Sequence, residues 1–504
     1  MTAPLQLDGS SLTITDLLAV ATGRRKVGLA LSAELRMRTT RAIVEGLAAK
    51  GAPVYGVTTG FGKLSDVAIP AHQLAQLQVN LVRSHAAGVG PRLTEVEVRA
   101  MMLLRANVLA KGFSGARPEL ATLLCAMLDA KLYPSIPEQG SVGASGDLAP
   151  LAHLALALIG EGELNHPAGV GPAADVLRQH GLSPVTLGPK EGLALINGTQ
   201  AHAAVATLGL IRARRCWYAA HVAGAASLEA LLGTPTAFDP RIHAARGQRG
   251  QQESAALLLE LLAGSEIRAS HREHDPRVQD AYALRCMPQV HGPVRDAIRF
   301  AEGLLAAELN AATDNPLVFD DGTMLSGGNF HGQAGAMAAD VLAIAMTNLA
   351  VMSERRTDRL VNPDLNEGLP PFLSPTAGVS SGFMMAQVTA AALTSECKIL
   401  AHPASVDTIP TDGNKEDVVP MAMGAATKLR RILHNLEHVL AIELMCAAQG
   451  LESRRPLKAG AGVERAYATV RSHIPKLIED RVIGPDIERL AHAVSEGEFG
   501  DAGR

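Results

Sequence analysis

The 504-residue chain is 47% hydrophobic, 19% charged and only 3% aromatic, so its interior has to be filled by Ala, Leu, Val and Met, and a β-rich fold is excluded for want of strand-preferring residues. A formal charge of −4 at pH 7 offers no basic footprint for nucleic acid or an anionic membrane and favours small-molecule work. Cys125, Cys216, Cys286, Cys397 and Cys446 are widely spaced and odd in number, which argues against a disulfide framework or a Cys-based zinc site. The N-terminal residues lack the basic stretch and apolar core of a signal peptide, so a cytoplasmic protein is expected.

Along the chain, apolar spacing predicts a helix over 32–49, and residues 53–60, Pro-Val-Tyr-Gly-Val-Thr-Thr-Gly, read as a short strand. Thr94 followed by Glu97 forms a capping-box pattern ahead of an apolar helical run over 96–110, which stops before Gly112. The apolar run 148–159 is broken by Pro150 and His153 and is too short to span a bilayer. Residues 317–325, with Asp321-Gly322 between apolar flanks, predict a small hairpin. Residues 334–356 are so rich in Ala and Met that this helix should be buried on several sides. The expected fold is mainly α, a long helical bundle with a smaller N-terminal region containing short strands. No repeat or linker marks a boundary; the best place for one is near residue 200, dividing the chain into 1–200 and 201–504.

The chemistry centres on residues 140–151, Gly-Ser-Val-Gly-Ala-Ser-Gly-Asp-Leu-Ala-Pro-Leu, where three glycines surround Ser145 ahead of an apolar helix. One reading is a turn with Ser145 or Asp147 as helix cap. A phosphate cradle lacks its lysine, and a hydrolase elbow would need a different spacing after the serine. A further reading explains the triplet itself. If the chain bends until the Gly146 nitrogen meets the Ala144 carbonyl carbon, a five-membered ring closes, and loss of water from the ring and from Ser145 leaves an exocyclic methylidene. This string closely resembles that of the histidine and aromatic amino-acid ammonia-lyases, and the resemblance extends from about residue 17 to about residue 487. It implies a 4-methylidene-imidazole-5-one (MIO) group formed from Ala144, Ser145 and Gly146, with no external cofactor.

The same resemblance implies roles for other segments. Tyr55, in Tyr-Gly-Val-Thr-Thr-Gly-Phe-Gly, matches the family's catalytic tyrosine, which takes the β-proton. An ordinary phenol has a pKa near 10, and lowering it to 7 would need about 4 kcal/mol of phenolate stabilisation from the site. Arg285, with its two-pronged guanidinium, matches the residue that holds the substrate carboxylate. Gln279 and Tyr282 line the site, and Tyr282 is also implied in ring formation or proton transfer. Asn197 corresponds to the Asn that hydrogen-bonds the prosthetic group and substrate, although Asn-Gly alone reads as a turn. Phe330 stands at the active-site wall, and Glu416 binds a substrate imidazole or relays a proton.

Ser84-His85, the segment 243–251 and the segment 381–387 look more like the histidine-acting branch, so the expected reaction is elimination of ammonia from L-histidine to give urocanate. Two departures point the other way. Val418-Val419-Pro420 stands where histidine-acting relatives often have His after the acidic pair, and Gly332-Gln333 resembles aromatic-acting relatives. The alternatives are a tyrosine or phenylalanine ammonia-lyase or a 2,3-aminomutase with the same group. A non-catalytic helical scaffold is the alternative from another class, but Ser145, Tyr55 and Arg285 are all kept. His72, His85, His153 and His202 lack tight ligand spacing, so no metal is expected. Family resemblance further implies a homotetramer whose active sites are shared between subunits.

Overall fold

The structure, a computed structural model, describes residues 3–50, 54–273, 275 and 277–501. It is 59% helix and 7% strand, the mainly α architecture expected. The chain falls into two compact units, neither of them one stretch of sequence. Unit 1 comprises Met1–Leu208, Glu302–Asp340 and Pro403–Thr427, and unit 2 comprises Gly209–Ala301, Val341–His402 and Lys428–Arg504. The first division lies close to the boundary sought near residue 200. The returns 302–340 and 403–427, however, lie inside the stretch expected to form one bundle. Periodicity reports which face of a helix is buried, not which unit buries it, so such returns leave no mark in the sequence.

Unit 1 is organised around the helix Glu95–Ala110. Its N-terminus carries the expected capping box, Thr94 and Glu97 satisfying each other's backbone amides, and every residue from Glu97 to Ala110 is buried. Besides the capping Glu97, three polar side chains are buried with it, and each satisfies backbone groups. Arg99 donates to Val20, Ala21 and Leu128 carbonyls, each at 2.9 Å, near the C-terminal ends of the helices Ile14–Ala21 and Pro118–Asp129. Helix ends leave carbonyls unpaired, and a cation there also answers the helix dipole. Asn107 bonds the Leu309 carbonyl and the Gly9 amide. Arg105 reaches the carbonyls of Ala194 and Asn197 and the Gln200 side chain.

The short strands of unit 1 form small ribbons. Leu5–Leu7 runs parallel to Val27–Leu29, Val89–Arg92 antiparallel to Pro137–Gln139, and Glu163–His166 lies between Tyr133–Pro134 and Gly169–Pro172. The expected hairpin is present as Leu317–Val318 paired with Met324–Leu325, closed through Gly322 at φ +88°. The expected strand at 53–60 is not. Pro53 lies outside the described residues; from Val54 onward the chain turns, with Val57 and Thr58 amides both donating to the Val54 carbonyl and Gly56 at φ +76°. β-branched residues suggested extension here, but the glycine permits the turn and the Thr58 hydroxyl secures it by accepting the Val54 amide at 2.8 Å.

Unit 2 takes the greater part of four long helices, Gln200–Ala230, Met287–Glu308, Gln333–Val361 and Ala422–Glu452, together with Arg249–Leu261, Met384–Leu400, Ala461–His473 and Gly484–Glu496. The helix Gln333–Val361 is long and apolar enough to cross a membrane, but its apolar window is 72% buried in the protein, as its Ala/Met content suggested. Close approach relies on missing side chains: a Cβ at Gly224 would fall 2.3 Å from the Met287 sulfur. One set of polar groups in this interior is fully paired. Arg356 and Glu443, both fully buried, form a two-pronged bridge at 2.6 and 2.9 Å, and the Ser227 hydroxyl donates to the same carboxylate at 2.7 Å.

Removing one partner of such a pair leaves an uncompensated buried charge, whereas removing both does not. Glu443→Ala should therefore lower the free energy of unfolding by about 3–5 kcal/mol, and Arg356→Met with Glu443→Met together should cost far less. Urea unfolding of the three proteins checks this; equal losses in the single and double variants would contradict it.

Candidate active site

The segment 143–147 is bent against a second turn, 196–200. Gly146 lies at φ +76° and forms an isolated bridge with Gly198, which lies at φ +157°. The approach is too close for any side chain: a Cβ on Gly146 would fall 2.2 Å from the Gly198 carbonyl oxygen, and one on Gly198 would fall 2.2 Å from the Arg105 guanidinium. The Asp147 amide donates to the Gly198 carbonyl at 2.7 Å, and the Gly332 amide to the Gly143 carbonyl at 2.9 Å. The Asn197 side-chain amide donates to the Ser145 carbonyl at 2.8 Å.

Three buried groups hold these turns. Asp147 occupies the N-cap position of the helix Leu148–Leu158, but its side chain does not cap it. The carboxylate instead accepts the Ser141 hydroxyl at 2.9 Å and both the backbone amide and Nδ1 of His202 at 2.8 Å. Burial alone would raise the Asp147 carboxyl, but the His202 charge and these hydrogen bonds outweigh it and hold it below the usual carboxylate range. Burial alone would likewise lower His202; Asp147 and Glu308 outweigh it and raise it. The two form a buried, hydrogen-bonded carboxylate–imidazole pair. Behind Asn197, burial pushes the Arg105 guanidinium down to about 10, still charged at neutral pH. A capped turn was one sequence reading of this segment. The N-cap is real, but its carboxylate serves the turn rather than the helix.

Ser145 faces a cavity of about 600 Å³ that is also lined by Tyr55, His85, Asn197, Asp412 and Glu416. A second hollow of about 620 Å³ shares Tyr55, Gly62, Ser145, Asp412 and Glu416 and adds Ala144, Phe330 and Lys415. Segments far apart in the sequence thus meet at one serine. The Ser145 hydroxyl donates to one oxygen of Glu416, and the Thr411 hydroxyl donates to the other. His85 Nδ1 lies 2.8 Å from the Leu81 carbonyl oxygen. A carbonyl only accepts, so Nδ1 carries the proton and Nε2 of the neutral ring is an acceptor. Asn197 Oδ1 is buried with no partner, an acceptor held ready beside Ser145.

The Gly62 backbone beside the Tyr55 hydroxyl favours the phenolate. Burial, first, and then the charges of Asp412, Asp314 and Glu416 overcome this and raise the phenol above its ordinary value. Asp314 is itself paired with Lys190 at 2.9 Å, both buried. A site that lowers this phenol was expected; the protein's own groups do the reverse.

Gln279, Tyr282 and Arg285 belong to unit 2 and are not among the residues lining either hollow. Tyr282 begins the short helix Tyr282–Arg285 and is 69% exposed. The Arg285 guanidinium stacks 4.7 Å from its ring centroid, with Nε buried and unpartnered. Gln279 is exposed. The residues that sequence reasoning missed are Arg105, Thr411, Asp412 and the partnership of Asp147 with His202, whose partners include backbone groups and side chains on other segments. The sequence also holds one His-x-x-x-His pair passed over in arguing against a metal, His434 and His438. Their rings pack 4.4 Å apart, and His438 bonds the His434 carbonyl and Glu488.

Residues 12–472 match the aromatic amino acid lyase family. The chain is 56% identical to a histidine ammonia-lyase of Anaeromyxobacter sp. (strain K), covering 98% of this chain and 99% of that one. Its fold is similar to the crystal structure of histidine ammonia-lyase from Trypanosoma cruzi, at a TM-score of 0.91 and 44% identity over 98% and 94% of the two chains. It is also similar to tyrosine aminomutase from Streptomyces globisporus, at 0.94 and 38% over 99% and 98%. Together with the bent Ala-Ser-Gly segment at the head of its cavity, these similarities show that the chain belongs to the aromatic amino acid lyase family of carbon–nitrogen lyases.

Proposed function

We propose that this enzyme eliminates ammonia from L-histidine to give urocanate, with the cavity of unit 1 as its reaction chamber. The carrying observation is the convergence of Tyr55, His85, Asn197 and Glu416 on Ser145. The family is known to use MIO, and we assign its formation here to Ala144, Ser145 and Gly146. Two features of the chain fit that group: a backbone bent at Gly146 where no Cβ fits, and the unpartnered Asn197 Oδ1. When present, the group supplies an electrophilic methylidene carbon that helps the amine depart.

The chain's own residues supply the rest. Tyr55 takes the β-proton. Because its phenol is raised, it is neutral around pH 7, and the basic form grows about tenfold for each pH unit below its pKa. Substrate brought in as an ammonium ion adds a positive charge that opposes the three carboxylates. His85 Nε2 accepts the imidazole N–H. Glu416, released when the Ser145 hydroxyl leaves, binds the other end of the ring or relays a proton. Phe330 walls the site. Arg285 grips the carboxylate with its two-pronged head, Gln279 lines the site beside it, and Tyr282 assists ring formation or proton transfer.

These last three residues serve a cavity in a homotetramer whose sites are shared between subunits. The 69% exposure of Tyr282, the unpartnered Arg285 Nε and the exposed Met337, Ile344, Met385 and Val388 support this assembly. The five cysteines are free, which accords with a reducing, cytoplasmic setting.

A second reading, a tyrosine-acting lyase or aminomutase, is favoured by the similarity to the S. globisporus tyrosine aminomutase and by Val418-Val419-Pro420. Histidine is preferred here because identity is higher to the histidine-acting proteins, 56% and 44% against 38%.

Buried polar groups left unpaired cost roughly 1–3 kcal/mol each, so His85 and Glu416 together should favour histidine over phenylalanine by roughly ten- to ten-thousand-fold in kcat/KM. Measured for L-histidine, L-tyrosine and L-phenylalanine between pH 7 and 9, with product identification, kcat/KM should be highest for histidine and rise with pH. A preference for tyrosine, or a β-amino acid as main product, would overturn the assignment. Sharing of sites is tested by complementation: Tyr55→Phe and Arg285→Met should each be nearly inactive alone and regain activity when co-expressed. Inactivity of the mixture would place both residues in sites built by a single subunit.

A further inference from the structure

The loop 411–416 that carries Glu416 is built in an unusual way. Asp412, Gly413 and Asn414 follow one another at φ +46°, +58° and +66°, all in the left-handed region that only glycine, and to a lesser degree Asn and Asp, tolerates. The loop is closed at its base by reciprocal backbone bonds between Thr411 and Glu416 and by the Thr411 hydroxyl on the Glu416 carboxylate. This conformation turns the exposed Asp412 toward the segment 61–64. Its carboxylate accepts the Lys63 amide at 3.3 Å and lies against Gly62, itself at φ +53°, so closely that a Cβ there would meet it at 2.3 Å. Gly62 opens the single 3₁₀ turn Gly62–Leu64; it lines both hollows together with Tyr55, and the preceding Phe61 packs edge-on against the Tyr55 ring at 6.5 Å.

Residues of this segment therefore face two partners, Phe61 the Tyr55 ring and the Lys63 amide the Asp412 carboxylate. We propose that Asp412 is a positioning residue: its carboxylate latches the Gly62–Leu64 turn onto the Glu416 loop and so fixes the Tyr55 hydroxyl relative to Ser145. It does not touch the reacting atoms. What it does is hold together the two loops that carry the proposed base and the carboxylate facing Ser145, so that neither moves independently of the other. The proposal rests on the assignment of Tyr55 as base, but the latch itself is a structural statement that can be read without turnover.

Two substitutions separate the latch from the backbone it sits on. Asp412→Asn keeps an acceptor for the Lys63 amide and a residue that tolerates positive φ. Asp412→Gly keeps the backbone freedom and removes the acceptor. In the full-length protein, deuterium uptake at the amides of 60–65 should be roughly tenfold faster in Asp412→Gly than in wild type and nearly unchanged in Asp412→Asn. In turnover, Asp412→Gly should lose roughly ten- to a hundredfold in kcat with KM little changed, and Asp412→Asn should restore most of it. Wild-type uptake in Asp412→Gly, or an Asn variant as impaired as the Gly variant in both readouts, would overturn the latch. If wild type turns over none of the three amino acids, the functional reading fails instead, and the uptake comparison still decides the latch.

Discussion

Two glycines set the geometry on which the site depends. Gly146 and Gly198 meet backbone to backbone: a methyl group on Gly146 would fall on the Gly198 carbonyl oxygen, and one on Gly198 would strike the Arg105 guanidinium. That approach bends the chain at Ala144–Gly146 and brings the Asn197 amide onto the Ser145 carbonyl. Such a contact replaces side-chain packing with bare peptide groups, so it has to be held from outside. The hydrogen-bonded Asp147–His202 pair holds one turn and Arg105 the other, and all three side chains are fully buried. Each satisfies backbone or side-chain groups that would otherwise be stranded in the interior, where an unpaired polar group is costly.

The same enclosure makes the site electrostatically demanding. Tyr55 sits partly buried among three carboxylates, and the protein holds it as a neutral phenol. In the proposed role of base, a tyrosine that stays protonated until substrate arrives has one physical merit. The positive charge that favours its ionisation comes with the molecule whose proton it removes, so the phenolate forms where it is needed. Glu416 is tied to Ser145 and Thr411 by hydroxyl donors, which hold its carboxylate facing Ser145.

How much of this was legible in the sequence follows from what kind of interaction each feature uses. The helix Glu95–Ala110 was readable because a capping box and an apolar run are local signals, and the hairpin at 317–325 because Asp-Gly is a local turn signal. The segment around Tyr55 was misread as extended, since the preference of Val and Thr for strands is weaker than the turn their tertiary setting imposes. The segment Ala144–Gly146 was recognisable only as part of a whole string; Ser145 alone would have passed for a cap. Arg105, His202 and Asp412 were invisible because their partners are backbone groups or residues on other segments, and nothing in spacing reveals a contact of that kind. The return of 302–340 and 403–427 to unit 1, which brings Phe330 and Glu416 into it, was hidden for the same reason.

The account stands or falls on whether the Gly146–Gly198 contact makes the bent segment competent to cyclise, and intact-protein mass spectrometry tests this most directly. Ring closure between the Gly146 nitrogen and the Ala144 carbonyl carbon expels one water, and departure of the Ser145 hydroxyl expels another. Wild-type protein should be lighter than its sequence by two waters. Ser145→Ala should be unable to lose the second and should be almost without elimination activity. Gly198→Ala, whose added methyl group would strike Arg105, should remain helical yet keep its full mass. A wild-type protein of full mass that turns over amino acids, or a Gly198→Ala variant that loses both waters as completely as wild type, would contradict the account.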